Sequence, residues 1–464
     1  MIADPNYKLQ FDTIDVNGIP FQTLVNPFGE LIPYEFTGWK DEVRAWHETA
    51  YLGACLDAAQ AMSISGPGAT EFLKTILVNN LDNAPVGKSK RGMILNPMGT
   101  IAADGVLIRE EEERWITCGL WPMDKFYLDQ AQARGEFTEV IYNDEWATNV
   151  DFQIGGPRSL EIVESATGED FHDLGYLCFR WSQINGVRVR VLRLGMAGTL
   201  SYEIHCPRET SKETYNAILA AGEPYGIKRL GLHAYMMDHT ENGFMQACTH
   251  FMFDYRNTPG LAEWMETEAP FMLGQLEPPA CNGSEQDAEK AFYVSPYDVG
   301  MGFIINYSTH DFVGKEAAWA KRGARHNKLV SLEWNAEDIA DVYLSQYDGR
   351  EKPYMDFENT VDFFMWDFVS SPSLLRADKV LNDSDEQIGI STGRTRIVCR
   401  NTMISLCSID PDYAEPGTQV KIVWGSPDYP QKEIRATVCK FPYLDLPANA
   451  DFDVSQVPHG NIKR

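Results

Sequence analysis

Two passages of this chain share one local pattern, and nothing else in the sequence narrows the possible folds as much. Residues 61–65 (AMSIS) are a short apolar run that meets Gly66, Pro67 and Gly68 and continues as the helical stretch ATEFLKTIL. Residues 152–154 (FQI) meet Gly155, Gly156 and Pro157 and continue as RSLEIV. Glycine permits the positive φ of a tight turn, and proline presets φ while removing a donor, so each passage reads as strand, turn, helix. Two such passages predict internally similar α+β units. At 464 residues the chain exceeds the roughly 250–300 residues at which a single core stops growing. Two or three packed units are expected.

The rest of the chain adds elements around these two. Glu42 to Leu56 has apolar and charged residues at near-helical spacing and predicts a helix. Gly92 to Ile108 predicts a hairpin turning at Asn96–Gly99, with Asp104 the one acid in an apolar second strand. Val187 to Arg193 alternates strongly and predicts a strand, and Thr210 to Gly222 a helix. Gly274 to Lys290 is polar and rich in Pro and Gly, which predicts an exposed loop. Beyond about residue 325, five short β-like runs separated by Gly, Pro and Asp turns predict a small β barrel or sandwich.

Composition removes several functions. A net charge of -27 argues against nucleic acid, whose phosphates need clustered Lys and Arg. The first residues lack a basic segment before an apolar one, and no apolar run approaches the roughly 20 residues of a membrane span. A cytoplasmic protein off the membrane is expected. Nine cysteines without a CxxC predict reduced thiols, and the lack of HExxH or a similar helical His pair predicts no metal centre.

The order of the motifs resembles the aminomethyltransferase (glycine cleavage T-protein) superfamily over almost the whole chain. The stretch from Arg193 through Gly195, Gly198 and Tyr202 to Glu203 and Ile204 is similar to the family pattern R-x-G-x-x-G-x-x-x-[FY]-E-I. Pro296 to Gly300, Asp311 to Lys315, Ile388 to Gly393 and Pro416 to Thr418 resemble the junction and the C-terminal barrel. The resemblance implies an α+β, three-domain cloverleaf that binds tetrahydrofolate and ends in a β-barrel domain. The expected division is 1–325 for the folate-binding module in two lobes, with an inserted segment at about 245–292, and 326–464 for the barrel.

By the same resemblance Glu203 holds the pterin ring, with Tyr202 and Phe244 beside the cofactor and Asp104 near its reacting nitrogen. A carboxylate suits the pterin edge because it accepts two donors at once. The family's G-A-R-D block corresponds here to His233, Ala234, Tyr235 and Met236, which puts Tyr235 at the family arginine. With the long segment after Phe244, this resembles the tetrahydrofolate-dependent O-demethylases of methoxyarenes such as vanillate and syringate. The implied reaction moves a methyl group from an aryl ether to N5 of tetrahydrofolate and leaves a phenol and 5-methyltetrahydrofolate. Tyr235 then donates a proton to the departing phenolate, since a phenol with pKa near 10 stays protonated at neutral pH.

The substrate pocket is expected around Gln60, Leu120 and Trp121. Leu120 stands where the vanillate enzyme has a carboxylate-binding arginine, so an uncharged methoxyarene is the expected donor. A lipoyl carrier protein is not expected on so acidic a surface. Three alternatives stay open: a sulfonium demethylase caged by Trp121, Trp181 and Phe244, a glycine-cleavage aminomethyltransferase, and a folate-binding protein without catalysis.

Overall fold

The computed structural model describes residues 23–25, 31–54, 61–196, 198–357, 359–362 and 374–462. A short ribbon of β1 (Thr23–Val25) and β2 (Leu31–Pro33) precedes α1 (Trp39–Glu48) and β3 (Ala50–Gly53). The predicted helix over Glu42–Leu56 therefore ends early. Ala50, Tyr51 and Leu52 are fully buried, Tyr51 and Leu52 pair with strands on both sides, and burying both faces favours an extended chain over an amphipathic helix.

The first Gly-Pro unit is β4 (Ala61–Ser65) and α2 (Ala69–Ile76), followed by β5 (Lys88–Leu95), β6 (Ile101–Glu111), β7 (Arg114–Cys118), α3 (Met123–Ala133) and β8 (Ile141–Asp144). Its strands form a five-stranded sheet in the order β5-β6-β7-β4-β8, and the predicted hairpin is β5–β6. The second unit is β9 (Asn149–Gly155) and α4 (Ser159–Thr167), followed by β10 (Phe179–Ile184), β11 (Val187–Leu192), β12 (Ser201–Pro207), α5 (Ser211–Gly222) and β13 (Ile227–Leu230). With β3 these strands make a six-stranded sheet ordered β10-β11-β12-β9-β3-β13.

Both Gly-Pro turns have the expected steric cause. At Gly156, φ is +126°, and a Cβ would lie 2.6 Å from the Thr49 carbonyl and 2.7 Å from the Ala50 Cα. Gly156→Ala is expected to destabilise the protein by about 1–3 kcal/mol, measured as a lower urea midpoint with unchanged m-value.

Next come the buried helix α6 (Leu232–Glu241), then α7 (Leu261–Glu268), β14 (Ala280–Cys281), α8 (Ala288–Phe292) and α9 (Lys315–Arg322). The last body contains β15 (Lys328–Trp334), α10 (Ala336–Leu344), β16 (Leu374–Leu375), β17 (Asp378–Leu381), β18 (Gln387–Ile397), β19 (Thr402–Ile409), β20 (Gln419–Trp424) and β21 (Lys432–Cys439). Six of these strands close a barrel in the order β15-β19-β18-β17-β20-β21. The fold is thus α+β with a closed C-terminal β barrel. Among the described residues no helix is long and apolar enough to cross a membrane.

The predicted exposed loop at Gly274–Lys290 is instead pinned to the barrel. β14 pairs in parallel with β16, the Ser284 N–H donates to Asp378, and Glu285 is buried. Ser284 and Glu285 answer barrel groups, the Lys379 N–H and the Gln387 amide donating to them, while Glu277, Gln286, Asp287, Glu289 and Lys290 stay exposed.

Alternation along the strands separates two faces of the six-stranded sheet. Phe152, Ile154, Val189, Val191, Tyr202 and Ile204 pack with Leu160, Ile162 and Val163 of α4 and Tyr215 and Ile218 of α5. The opposite face carries Gln153, Leu192, Glu203 and His205. There Leu192 joins Ile108 and Ile116 of the five-stranded sheet in a small apolar cluster between the two sheets.

Candidate active site

α6 is buried along its whole length although His233, Asp238, His239, Thr240 and Glu241 are polar. A helix polar and buried at once needs a partner for each group, and most of these groups have one. His233 Nδ1 lies 2.7 Å from Glu35 Oε1, Thr240 donates to the Gly393 carbonyl at 2.6 Å, and Glu241 accepts from the Trp46 indole at 3.2 Å. The exceptions are Asp238 Oδ2, His239 Nε2 and the second Glu241 oxygen, Oε2, which have no hydrogen-bond partner among the described residues. Burial raises the Asp238 carboxyl well above its usual range, with Glu241 adding to the effect, and pushes the His239 imidazole down to about 4.

Tyr235 projects from the same helix. Its hydroxyl donates to Met196 Sδ at 3.5 Å, a weak acceptor, and its ring meets the His239 ring edge-on at 4.6 Å. Tyr51, on β3, ties this helix to the sheet. Burial raises the Tyr51 phenol well above its ordinary value, and the charges of Asp238, Tyr235 and Glu203 each act on it. Its hydroxyl donates to Gln153 Oε1.

Gln153 and Glu203 are directly opposite in the β9–β12 ladder, and the Gln153 amide hydrogen-bonds the carboxylate. Burial raises Glu203 to about 7, against the opposing pull of Gln153 and of the Arg190 charge. His205 Nε2 lies 3.4 Å from Glu203, and burial depresses this imidazole to about 3. Its Nδ1 accepts from Arg190, whose other nitrogen reaches Glu110 at 3.0 Å. Glu203 therefore keeps acceptor capacity inside the protein without a direct cation contact. Such a carboxylate fits the N–H and NH₂ edge of a pterin.

Across from these groups, Arg91 and Asp104 form a bidentate pair, Nε to Oδ1 at 2.8 Å and NH2 to Oδ2 at 2.5 Å. The Arg91 guanidinium also lies 4.7 Å over the Phe244 ring, which meets His239 at 5.6 Å. Asp104, Arg91, Phe244, His239 and Tyr235 are thus a continuous row. Tyr176 sits within range of Arg91, Arg193 and Glu203, whose charges act on its phenol.

The structure gathers Tyr235, Glu203, Asp104 and Phe244 into this region and sets Tyr202, Leu120 and Trp121 elsewhere. Tyr202 is fully buried in the helix-facing core, because adjacent strand residues point to opposite sides. A place beside Glu203 in sequence is therefore the wrong face for the ligand, and Gln153 supplies the neighbour that Tyr202 was expected to be. Leu120 is fully buried with Phe126, Trp264 and Met265, under the segment inserted after Phe244. Trp121 stacks on Phe271 at 5.8 Å. Gln60 lies outside the described residues.

Sequence reasoning missed Arg91, Gln153, Tyr51 and Tyr176. Gln153 was within reach of a strand-register argument, since it lies inside the second Gly-Pro passage. Arg91 carried no local signal in KSKRGMIL. Each aromatic ring offered for a sulfonium cage has a neighbour on one face: Arg188 lies 3.7 Å over Trp181, Arg91 over Phe244, and Phe271 over Trp121.

The chain is similar to several known proteins. The family pattern described as the GCVT N-terminal domain matches residues 24–256. Sesamin methylene transferase of Sinomonas sp. is 38% identical over 449 residues, covering 94% of this chain and 95% of its own. Syringate O-demethylase of Sphingobium sp. is 29% identical over 438 residues, covering 89% and 90%. The crystal structure of aminomethyltransferase T of the glycine cleavage system from Bartonella henselae superposes with a TM-score of 0.64 at 15% identity, over 93% of this chain and 96% of that one. That likeness is one of fold.

Proposed function

Because the chain belongs to the GCVT family, as a methyl-transferring enzyme with tetrahydrofolate as its one-carbon acceptor, we propose that its donor is an uncharged aryl ether. In the leading form the donor is a methoxyarene, and the products are a phenol and 5-methyltetrahydrofolate. The observation that carries the reading is the convergence of Glu203, held by Gln153, with Tyr235 and Tyr51 on one buried face. The division into a module over 1–325 and a barrel over 326–464, acting without a lipoyl carrier protein, is part of the same proposal.

Tetrahydrofolate supplies the nucleophilic nitrogen that takes the one-carbon group. Every other role falls to residues of this chain. Glu203 accepts the ring donors and fixes orientation, with the Gln153 amide holding the carboxylate in place. The Arg91–Asp104 pair sets a fixed dipole on the opposite wall and keeps both Asp104 oxygens engaged. Tyr235 holds its proton at Oη for the aryl oxygen as the C–O bond breaks, exchanging a thioether acceptor for a much better one. The packed rings of Phe244 and His239 exclude water from this step.

The charges near this region favour a neutral donor. Arg91 is committed to Asp104, and Arg193 to Asn449 and the carbonyls of Leu174 and Phe452. Guaiacol is therefore expected to exceed vanillate in kcat/KM, and the opposite order would place a free cation in the pocket.

A second reading follows from the 38% identity with a sesamin methylene transferase. A methylene group bridging two aryl oxygens lies one oxidation level above methyl, so its transfer yields 5,10-methylenetetrahydrofolate. One experiment separates the readings: the enzyme is incubated with tetrahydrofolate and either a methoxyarene or a methylenedioxyarene. The folate product is then resolved by chromatography. 5-Methyltetrahydrofolate from the methoxyarene supports the first reading, methylenetetrahydrofolate from the second donor supports the other, and neither product rejects both.

A further inference from the structure

The end of the chain returns to the six-stranded lobe and brings His459 beside three residues almost 300 positions earlier. His172 Nδ1 lies 2.8 Å from Glu164 Oε1 and 3.3 Å from Asp170 Oδ1. His459 Nδ1 lies 3.4 Å from Glu164 Oε2 and 3.9 Å from the same Asp170 oxygen. One ligand atom from each of the four residues falls within 4.8 Å of all the others.

Three features separate this group from an ordinary surface ion pair. Glu164 is fully buried, and each of its oxygens also accepts a backbone N–H, from Phe171 at 2.9 Å and from Gly460 at 2.8 Å. The carboxylate is therefore held at both ends, one of them by the returning tail. His172 Nε2 lies 3.0 Å from the Val457 carbonyl, which can only accept, so Nε2 carries a proton. Nδ1 faces two carboxylates, a position that calls for positive charge, supplied either by a second proton on the ring or by a cation held between the three groups. Metal-bound histidines commonly donate their second ring N–H to a carbonyl in this way. Finally, the two imidazole centroids are 4.0 Å apart. Two imidazolium charges at that distance repel, whereas one divalent cation leaves both rings neutral and balances both carboxylates.

We propose that Glu164, Asp170, His172 and His459 form a structural site for a divalent cation of the zinc class, which clamps the C-terminal segment to the six-stranded lobe. A tetrahedral cation with bonds of about 2.0–2.2 Å sets its ligand atoms roughly 3.4 Å apart. The nitrogen–oxygen distances, 2.8 and 3.3 Å at His172 and 3.4 and 3.9 Å at His459, fall on either side of that value, with the two rings meeting opposite oxygens of Glu164. Imidazole and carboxylate donors in a tetrahedron suit zinc better than the harder calcium or magnesium. The clamp lies outside the proposed active site, but the same tail braces it: Asn449 accepts from Arg193 and donates to the Ser201 carbonyl, at the start of the strand that carries Glu203.

The test uses the full-length protein stripped of metal. Zn²⁺ alone is titrated against a chromophoric chelator, and Co²⁺ alone is added in parallel for its visible spectrum. One tight equivalent per chain is expected, with the intense visible bands of tetrahedral Co²⁺, no thiolate charge-transfer band, and a higher Tm in the presence of Zn²⁺. His459→Ala removes a half-exposed ring and leaves the Glu164 backbone contacts in place, so it should fold. It should weaken Zn²⁺ binding by roughly 100-fold or more and abolish the Tm response. His172→Asn is the second variant and should lose the same equivalent. The proposal is overturned if the wild-type chain takes up no tight equivalent, if both variants bind as it does, or if a thiolate band shows that cysteine is the ligand.

Discussion

Tyr235→Phe is expected to lower kcat for a methoxyarene by roughly 10²–10⁴-fold, the usual contribution of general acid catalysis, while the affinities for tetrahydrofolate and donor stay nearly unchanged. The phenyl ring still fills its place against His239, so the packing of the buried helix survives. What disappears is one O–H, whose partner Met196 Sδ is too weak an acceptor for its loss to destabilise the fold much. The loss should shrink for donors whose phenols are more acidic, since a better leaving group needs less help. Steady-state kinetics across a series of substituted methoxyarenes measures both effects. Turnover by the variant within a factor of about two of wild type would remove Tyr235 from the chemistry, because a general acid cannot be lost so cheaply.

Glu203→Gln is expected to weaken tetrahydrofolate binding by about 1.5–3 kcal/mol, the range for hydrogen bonds to a charged group, and to change its pH dependence. In the free protein burial holds the Glu203 carboxyl at about 7, against an ordinary value of 4.5. Binding needs the ionised form, so wild-type affinity should fall as pH drops below about 7, and the Gln variant should lose that dependence. Stability runs the other way. Between 4.5 and about 7 the folded state binds more protons than the unfolded state at this group, so its contribution is full below 4.5 and is lost as pH rises through about 7. Above neutrality, Glu203→Gln should therefore stabilise the ligand-free protein, by an amount on the order of 2 kcal/mol. Calorimetric titration with tetrahydrofolate and urea unfolding over pH 5–8.5 check the two halves separately. An unchanged folate affinity in a folded variant would sink the assignment of Glu203.

Much of the fold was legible because it rests on short-range rules. The two Gly-Pro turns, the β5–β6 hairpin, the alternation of β11 and the β-rich final third each follow from backbone sterics and side-chain periodicity over fewer than twenty residues. The failures have equally local causes. The near-helical spacing over Glu42–Leu56 was cut short because Ala50–Gly53 is sandwiched between two strands, and pairing overrides propensity. The segment around Ser284 looked like a solvated loop because the partners of Ser284 and Glu285 on the barrel, Asp378, Lys379 and Gln387, are distant in sequence. The site divides in the same way. Glu203 and Tyr235 stood in a recognisable order of motifs, whereas Gln153, Tyr51 and Arg91 are set in place by register and by sheet-on-sheet packing.

What this sequence determined alone is the set of turns, the faces of its strands, its acidic surface and the family pattern that marks Glu203 and Tyr235. Each depends on atoms a few bonds or one hydrogen-bonded turn apart. The tertiary structure decided which face is wet, and with it the separation of Glu203 from Tyr202 one residue away. It also decided the acidity of Glu203, since a pKa near 7 comes from burial of the carboxylate away from water and is not a property of a glutamate in a strand. Most plainly, it decided the meeting of His459 with Glu164, Asp170 and His172. Nearly 300 residues separate them, and only closure of the whole chain brings four ligand atoms within 4.8 Å.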